Sequence, residues 1–194
     1  MKIPDFSYKG HRKYVHGPDL FNTLYQACHD RYGIYPATAH LSIRQMFTHQ
    51  INVLENRMPD QTLIGFFEAT FPDGQIKYYL YESDKAVTQK RDYEENDIVL
   101  HAQLDPNQGW AMIRDYDRYS FTEISVALLK ELCQSQIDGS VKWTMVDISY
   151  TSEVPLYTSE TIKITLDKNI GTKMVVSSLY LNDHKVGRLK FSSK

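Results

Sequence analysis

One short segment brings together side chains that can transfer protons at the start of a helix. Gly17 suits an N-cap, Pro18 is tolerated at the first helical position and Asp19 suits the first turn. The imidazole of His16 titrates near neutral pH, and Asn22 follows Asp19 by one helical turn on the same face. We therefore expect His16, Asp19 and Asn22 to be catalytic residues of an acid–base site.

A second helix start carries another carboxylate. Ser120 and Glu123 form an S-x-x-E capping box, which already gives the glutamate a structural role. Glu123 is nevertheless the fourth catalytic candidate. Tyr14 and Tyr119 precede the two helix starts at matching places, and we expect them to bind substrate together with Leu20. The alternative for the two tyrosines is a shared packing role.

Two helices must position these residues. The first ends at Gly33, and the second carries a broad apolar stripe to Gln136 and ends at 138–139. Cys28 and Cys133 fall on the apolar faces, where a buried thiol is mostly inert. The spacing of His, Cys, Asp and Glu indicates no metal site.

Most of the remaining chain has the pattern of β-strands. Pro72-Asp73-Gly74 predicts a hairpin turn, and 106–109 predicts another turn. The segment from Ala39 to Leu54 fits a strand and a helix equally well by periodicity. The strand-like runs are Phe6 to Val15, Thr62 to Phe71, Gln75 to Tyr81, Asp97 to Leu104, Lys142 to Tyr150, Glu160 to Leu166, Lys173 to Leu181 and Lys185 to Phe191.

A weak internal repeat predicts two similar halves, residues 1–96 and 97–194. Cys28 matches Cys133 at a distance of 105 positions, residues 47–53 match 150–156 at 103, and residues 80–87 match 179–186 at 99. The offset falls steadily, as small loop deletions in the second half would produce.

The repeat also decides the ambiguous segment. Pro155 and many β-branched residues disfavour a helix from Val141 to Leu156, so the matching segment from Ala39 to Val53 is predicted to be a strand. On one strand Arg44 and His49 have opposite parity, and we expect both at the surface.

This order of elements resembles the hotdog fold, in which a curved antiparallel sheet wraps around a central helix. The expected fold class is α+β, with two tandem hotdog-like units, each an antiparallel sheet around its own helix. Since a single hotdog unit has an open edge and an incomplete site, fusion of two would complete the pair within one chain.

The resemblance implies an enzyme that acts on acyl thioesters of coenzyme A or acyl carrier protein, most simply a thioesterase. The run from Tyr14 to Asn22 is similar to the thioesterase segment in which a Gly-His-Val-Asn-Asn-like run precedes a helix. The acidic residue expected before the His is replaced here by Lys13 and Tyr14. Backbone N–H groups near Asp19 and Leu20 would hold the oxyanion, in a cavity between the two halves.

Other activities use the same kind of cavity. The alternatives are a double-hotdog acyltransferase, decarboxylase or dehydratase of a biosynthetic pathway, and a non-catalytic acyl-ligand binding module. The missing acidic residue before His16 favours the binding module. The absence of both the thioesterase motif and the His-Phe-Pro-Gly motif of dehydratases favours the enzymes of a biosynthetic pathway. No cofactor is expected, because coenzyme A or phosphopantetheine would form part of the substrate.

Composition excludes several classes of protein. The chain has 194 residues, 42% of them hydrophobic and 24% charged, which is ordinary for a globular protein. A net charge of −2 gives no electrostatic footprint for nucleic acid. There is no apolar run of membrane-spanning length, no secretory signal and no disulfide framework. We expect a cytoplasmic monomer or homodimer.

Overall fold

The computed structural model describes residues 1–137 and 139–193. The chain is an α+β protein that divides into two compact units, Met1–Tyr93 and Glu94–Lys194. Each unit contains a sixteen-residue helix followed by antiparallel strands.

The first unit combines a four-stranded antiparallel sheet with a two-stranded parallel pair. Its elements are β1 (Tyr8–Lys9), α1 (Gly17–Tyr32), β2 (Thr38–Ile43), β3 (His49–Leu54), β4 (Leu63–Phe71), β5 (Gly74–Ala86) and β6 (Lys90–Arg91). The sheet has the strand order β3-β5-β4-β2, and β1 pairs with β6. The predicted hairpin between β4 and β5 is present, with Phe71 opposite Gly74.

Aromatic packing fixes the orientation of α1. Phe21 and Tyr25 are buried and stack with their ring centroids 5.7 Å apart. Tyr25 stacks in turn on Tyr35 at 5.0 Å, beyond the end of the helix. The helix ends as predicted at Gly33, whose φ of 76° is a left-handed conformation that glycine adopts without strain.

The start of the chain is less regular than the sequence predicts. From Phe6 to Val15 only Tyr8–Lys9 forms a strand. Gly10 has a φ of 57° and introduces a turn, after which the N–H of Val15 donates to the carbonyl of Phe47 at 3.1 Å. The segment therefore leads directly into α1 instead of lining a sheet.

The second unit contains a six-stranded antiparallel sheet. Its strand order is β9-β12-β11-β10-β8-β7, where the labels follow the chain. The elements are α2 (Glu95–Leu100), β7 (Gln103–Asp105), β8 (Trp110–Ile113), α3 (Phe121–Gln136), β9 (Trp143–Tyr150), β10 (Ile162–Ile170), β11 (Met174–Leu181) and β12 (His184–Ser193).

Helix α3 has the start that its sequence predicts. The Ser120 hydroxyl accepts from the Glu123 N–H, and the Glu123 carboxylate accepts from the Ser120 N–H, which completes the capping box. The first nine residues of the helix, Phe121 to Leu129, are buried, so the sheet and loops cover it on all sides there. Of the predicted end, Asp138 lies outside the described residues.

The segment from Ala39 to Leu54 is extended, as the repeat predicts, but it forms two strands. β2 pairs with β4, whereas β3 pairs with β5. Arg44 lies in the bend between them, where its N–H donates to the carbonyl of Ile64 at 2.8 Å. The parity argument for Arg44 and His49 was therefore wrong, because the two residues do not share a strand.

The predicted strand from Asp97 to Leu104 is wrong for most of its length. Its first half belongs to α2, and only the end belongs to β7. Ile98 is 0% exposed and Leu100 is 81% exposed, whereas on a strand the two side chains would share one face. Lys130 of α3 binds Glu95 at 2.7 Å and holds this short helix in place.

The two units are not superimposable copies in topology. The strand after the helix pairs with β4 in the first unit, but its counterpart β9 pairs with β12, the last strand of the second. The sequence match of residues 80–87 with 179–186 aligns the second half of β5 with the turn between β11 and β12. Duplication therefore stays a prediction, which the helices support and the strand register does not.

Each unit has one strand glycine where two backbones approach closely. A Cβ at Gly65 would collide with the carbonyl oxygen of Ser42, and a Cβ at Gly187 would collide with that of Ser149. We expect Gly65→Ala and Gly187→Ala each to lower the free energy of unfolding by about 1–3 kcal/mol, because the strands must separate. Urea titration measures this. Unchanged or raised stability, the usual effect of alanine on a less crowded strand, would contradict it.

Asp97 in α2 contributes to stability through its charged carboxylate. A hydrogen bond from the Tyr116 hydroxyl at 2.7 Å, and then Arg118, hold the pKa of Asp97 below its usual value. Its contribution to stability is therefore present above about pH 4 and disappears as the pH falls through the lowered pKa. We expect Asp97→Asn to lower the urea midpoint at pH 7, and we expect this difference from the wild type to shrink as the pH falls below about 4 and through the lowered pKa. Asp92→Asn, at an exposed position, serves as the control.

Candidate functional site

The first turn of helix α1 has one backbone N–H donor fewer than usual, because it contains a proline. His16 is the N-cap, with φ −70° and ψ 128°, and Pro18 in the first turn has no N–H. The N–H of Leu20 donates to the carbonyl of His16 at 3.2 Å. The Leu20 amide is thus engaged inside the helix. The oxyanion site predicted near Asp19 and Leu20 stays a prediction.

A buried ion pair lies against this helix start. The Lys9 ammonium is 2.6 Å from Oδ1 of Asp19, and the two side chains are 11% and 9% exposed. Asp19 is the third residue of α1, where the positive end of the helix dipole also stabilises a carboxylate. The pair therefore concentrates charge in a place that water scarcely reaches.

The ring of one tyrosine, Tyr93, lies close to two cationic side chains and to a histidine. The ring of Tyr93 lies 5.0 Å from the Lys9 ammonium and 5.2 Å from the Arg12 guanidinium, which are cation–π distances. The buried ring of His16 lies 5.4 Å from it, tilted by 55°. Lys9, Arg12, His16, Asp19 and Tyr93 are called the Tyr93 cluster below.

The Tyr93 cluster has the components of a reaction that develops negative charge. An ammonium and a helix N-terminus in low-dielectric surroundings stabilise an anion far more than they would in water. The imidazole of His16 is a side chain of the cluster that can accept and donate a proton. One helix start of the first unit therefore carries groups of the types needed for charge stabilisation and for proton transfer.

The other predicted residues of the first unit lie at different depths around α1. Asn22 is half-buried one turn after Asp19, as predicted, and its Oδ1 is shielded from solvent. Tyr14 is half-buried before the helix, whereas Leu20 is 1% exposed and belongs to the core. Their roles in substrate binding stay predictions.

Backbone and side-chain groups of the same chain bind the N–H groups at the start of α3. The N–H of Phe121 donates to the carbonyl of Leu156 at 2.9 Å, and the N–H of Glu123 donates to Ser120 Oγ at 3.2 Å. Glu123 Oε2 accepts in turn from the Ser120 hydroxyl at 2.6 Å. Tyr119 donates to the carbonyl of Glu94 at 3.5 Å within the second unit. Glu123 and Tyr119 are thus both engaged in local structure.

The cysteines and the strand residues carry no chemistry of this kind. Burial raises the pKa of Cys28 and that of Cys133 to about 12, so both stay thiols at neutral pH. Arg44 is exposed, and Nδ1 of the half-exposed His49 lies 3.3 Å from Glu82. The surface positions expected for both are observed.

Two searches over residues 1–137 and 139–193 were negative. No three His, Cys, Asp or Glu side chains there are grouped as a metal site requires. Within the same residues, none of the helices has the length and apolar character needed to cross a membrane.

The sequence alone did not point to Lys9, Arg12 or Tyr93. The parallel pairing of β1 with β6, in which Tyr8 is opposite Lys90, brings Tyr93 to the helix start. No local pattern encodes such a pairing between distant short strands. The only available signal is the basic run from Lys9 to Lys13, directly before the predicted helix.

Comparison with known proteins identifies the fold. No protein-family model matches the sequence, and no curated protein is significantly similar to it. A TesB protein from Mycobacterium avium subspecies paratuberculosis has a TM-score of 0.54 at 8% identity, with 97% of this chain and 91% of that chain covered. A hotdog-fold protein of unknown function from Alicyclobacillus acidocaldarius has a TM-score of 0.53 at 8% identity, with 99% and 92% covered.

A third solved structure agrees with these two. A candidate thioesterase II from Thermobifida fusca has a TM-score of 0.50 at 8% identity and covers 95% of this chain and 88% of its own. At this identity such likenesses establish the fold alone. The chain has the hotdog fold, and the predicted α+β fold class is confirmed.

The burial of the Lys9–Asp19 pair can be tested by a double-mutant cycle. We expect Lys9→Met and Asp19→Leu each to lower the free energy of unfolding by about 3–5 kcal/mol, because each leaves an uncompensated buried charge. The double variant should lose much less than the sum. Urea denaturation of all four proteins measures the coupling.

The exposed pair of Lys85 with Asp5, whose side chains are 64% and 55% exposed, is the matched control. Lys85→Met and Asp5→Leu should show a coupling of about 1 kcal/mol or less. A coupling of the same size in both cycles would contradict the burial of the Lys9–Asp19 pair.

Proposed function

We propose that this protein hydrolyses an acyl thioester at the N-terminus of α1. The observation that carries the proposal is the buried pair of Lys9 and Asp19, 2.6 Å apart, beside His16 at the N-cap of the same helix. A buried charged pair contributes little to stability by itself, so its presence at a helix start suits a chemical role.

Three residues of the Tyr93 cluster, His16, Lys9 and Asp19, divide the reaction between them. His16 accepts a proton from water as the water oxygen attacks the thioester carbonyl carbon. The Lys9 ammonium and the start of α1 stabilise the oxyanion that forms. When the carbon–sulfur bond breaks, His16 returns the proton to the departing thiolate. The products are a free thiol and a carboxylic acid, which then loses its remaining water proton to solvent. Asp19 holds Lys9 in position.

The choice of a thioester rests on the fold. A TesB protein and a candidate thioesterase II share this hotdog fold over most of both chains. Thiol esters are also activated enough for a histidine and an oxyanion site to suffice without a metal. The substrates that suit the proposal are acyl-CoA and acyl carrier protein, in which coenzyme A or phosphopantetheine forms part of the substrate.

We assign one reaction centre to the chain. The first turn of α3 is held by the Leu156 carbonyl and by its own capping box, so an incoming carbonyl would have to displace these bonds. In this proposal Glu123 caps the N-terminus of α3, and the catalytic function predicted for it from the sequence is not needed. His16, Asp19 and Asn22 remain as the proposed site residues.

Acyl-CoA esters of graded chain length, assayed for released thiol, test the proposal. We expect turnover by the wild-type protein and a loss of kcat of about 10²–10⁴-fold in His16→Ala, because general base catalysis contributes that much. His29→Ala is the matched control, since it lies in the last turn of the same helix, about 20 Å from the N-cap, and should retain activity.

The alternatives give different results in the same assay. Hydration or loss of water from the acyl chain without release of thiol would indicate a dehydratase. Tight binding of an acyl-CoA without any turnover would indicate an acyl-ligand binding module. Equal activity of wild type and His16→Ala would refute the assignment of His16.

A further inference from the structure

A polar pocket lies beside strand β5 of the first unit, and none of its lining residues belongs to the Tyr93 cluster. Its volume is about 330 Å³, near the lower end of the range for ligand pockets in proteins. Every lining side chain carries a hydrogen-bonding group: Gln45, Asn52, Gln61, Thr62, Tyr81, Glu82, Ser83 and Asp84. Most ligand pockets are largely apolar. This lining therefore suits a small and strongly polar ligand.

The pocket lies where β5 departs from the regular pattern of the sheet. Between two regular pairs with β3, β5 has residues 83–85 where β3 has only Gln50. Such extra residues leave the hydrogen-bonded ladder and re-aim their side chains. On the other side of β5, β4 begins at Leu63, opposite Tyr81, and residues 82–84 extend beyond it. This part of β5 therefore offers side chains to a pocket instead of to a neighbouring strand.

The loop before β4 forms another wall of the pocket. The N–H of Met58 donates to the hydroxyl of Tyr81 at 2.7 Å, and the N–H of Gln61 donates to the carbonyl of Met58 at 3.5 Å. Tyr81 is 1% exposed, so its ring is a fixed point of attachment for the loop. These contacts hold Gln61 and Thr62 against β5.

Glu82 places a fixed and charged acceptor in the lining. Its Oε1 accepts from the N–H of Thr48 at 2.6 Å and from that of His49 at 2.9 Å, and the His49 ring approaches the same oxygen at 3.3 Å. Burial alone would raise the pKa of Glu82, but the hydrogen bonds outweigh it and hold this pKa below its usual value. Among the residues that the structure describes, none donates a hydrogen bond to Oε2.

The pocket contains further groups that the fold does not use. Within residues 1–137 and 139–193, four lining side chains make no hydrogen bond and no ion pair: Gln45, Asn52, Gln61 and Asp84. Each carboxamide can donate and accept, and Asp84 adds a second carboxylate. No lysine, arginine or histidine of the described chain lines the pocket, and Lys85, the neighbour of Asp84, pairs with Asp5. The pocket therefore has an excess of negative charge.

We propose that this pocket binds a small protonated amine that also carries hydroxyl groups, of the amino-sugar or amino-alcohol class. The ammonium group lies between Oε2 of Glu82 and the carboxylate of Asp84, since charge-assisted hydrogen bonds are about twice as strong as neutral ones. The hydroxyl groups bind the carboxamides of Gln45, Asn52 and Gln61, which offer both donors and acceptors. A neutral polyol would leave both carboxylates without a counter-charge. The proposal does not depend on the proposed function.

Glucamine and sorbitol separate the amine from the hydroxyl groups, because they differ only by an ammonium group in place of one hydroxyl. We expect the wild-type protein to bind glucamine at least about 10-fold more tightly than sorbitol, as a charged hydrogen bond predicts. Titration followed by proton–nitrogen correlation NMR measures both affinities. It also shows the NH₂ groups of Gln45, Asn52 and Gln61 directly, and these signals should shift with glucamine.

Two isosteric variants test the carboxylates. In Glu82→Gln the amide oxygen can keep the bonds from Thr48 and His49, so that an NH₂ group replaces Oε2 in the pocket. We expect Glu82→Gln and Asp84→Asn each to weaken glucamine binding at least about 10-fold and to change sorbitol binding less than about twofold. Asp84 is exposed and makes no bond in the described fold, so its variant tests the site without disturbing folding.

Asp60→Asn is the matched control. It removes one exposed carboxylate next to Gln61 but outside the lining, and both affinities should change less than about twofold. A loss in Asp60→Asn equal to that in Asp84→Asn would show a general charge effect and would overturn the proposal. Equal affinities of the wild type for glucamine and sorbitol would overturn it too, as would the absence of glucamine binding or an unchanged affinity in Asp84→Asn. No readout involves a thioester, so failure of the proposed hydrolysis leaves this test intact.

Discussion

The contact between Lys9 and Asp19 is the constraint on which the candidate site depends. It joins β1 to α1, and both of its side chains are nearly buried. In such surroundings each charge needs the other, because desolvation of either alone is costly. Tyr93 then covers the ammonium, and Arg12 and His16 are arranged around the same ring. The position of each group follows from that pair.

The two long helices show how the same element serves two purposes. Both have sixteen residues and a buried first turn, yet they begin differently. α3 is completed by Ser120 and Glu123, which satisfy each other, and so it is a structural element. α1 begins at a histidine with charged groups around it, and it is the helix start to which the proposed reaction is assigned. If one helix start carries the proposed reaction, only that start needs charged residues around it. The different residues at the starts of α1 and α3 agree with this.

Local sequence signals predicted the elements that depend on local interactions. The capping box of α3, the hairpin before Gly74 and the end of α1 at Gly33 all follow from short-range chemistry. α2 was missed because its six residues are helical through the docking of Ile98 and the ion pair of Glu95 with Lys130. His16, Asp19 and Asn22 could be predicted as a group because they lie together in the sequence, and their role stays a prediction. Their charged partners were not, since they arrive through the pairing of distant strands.

The parallel pairing of β1 with β6 has a consequence for folding kinetics. Tyr8 meets Lys90 across most of the first unit, so closing this contact fixes a loop of about 80 residues and has a large entropic cost. Contacts of such high sequence separation form late, after helices and hairpins. We therefore expect the helices and hairpins of the first unit to form before β1 pairs with β6. In that order the groups around Tyr93 would be the last part of the unit to assemble.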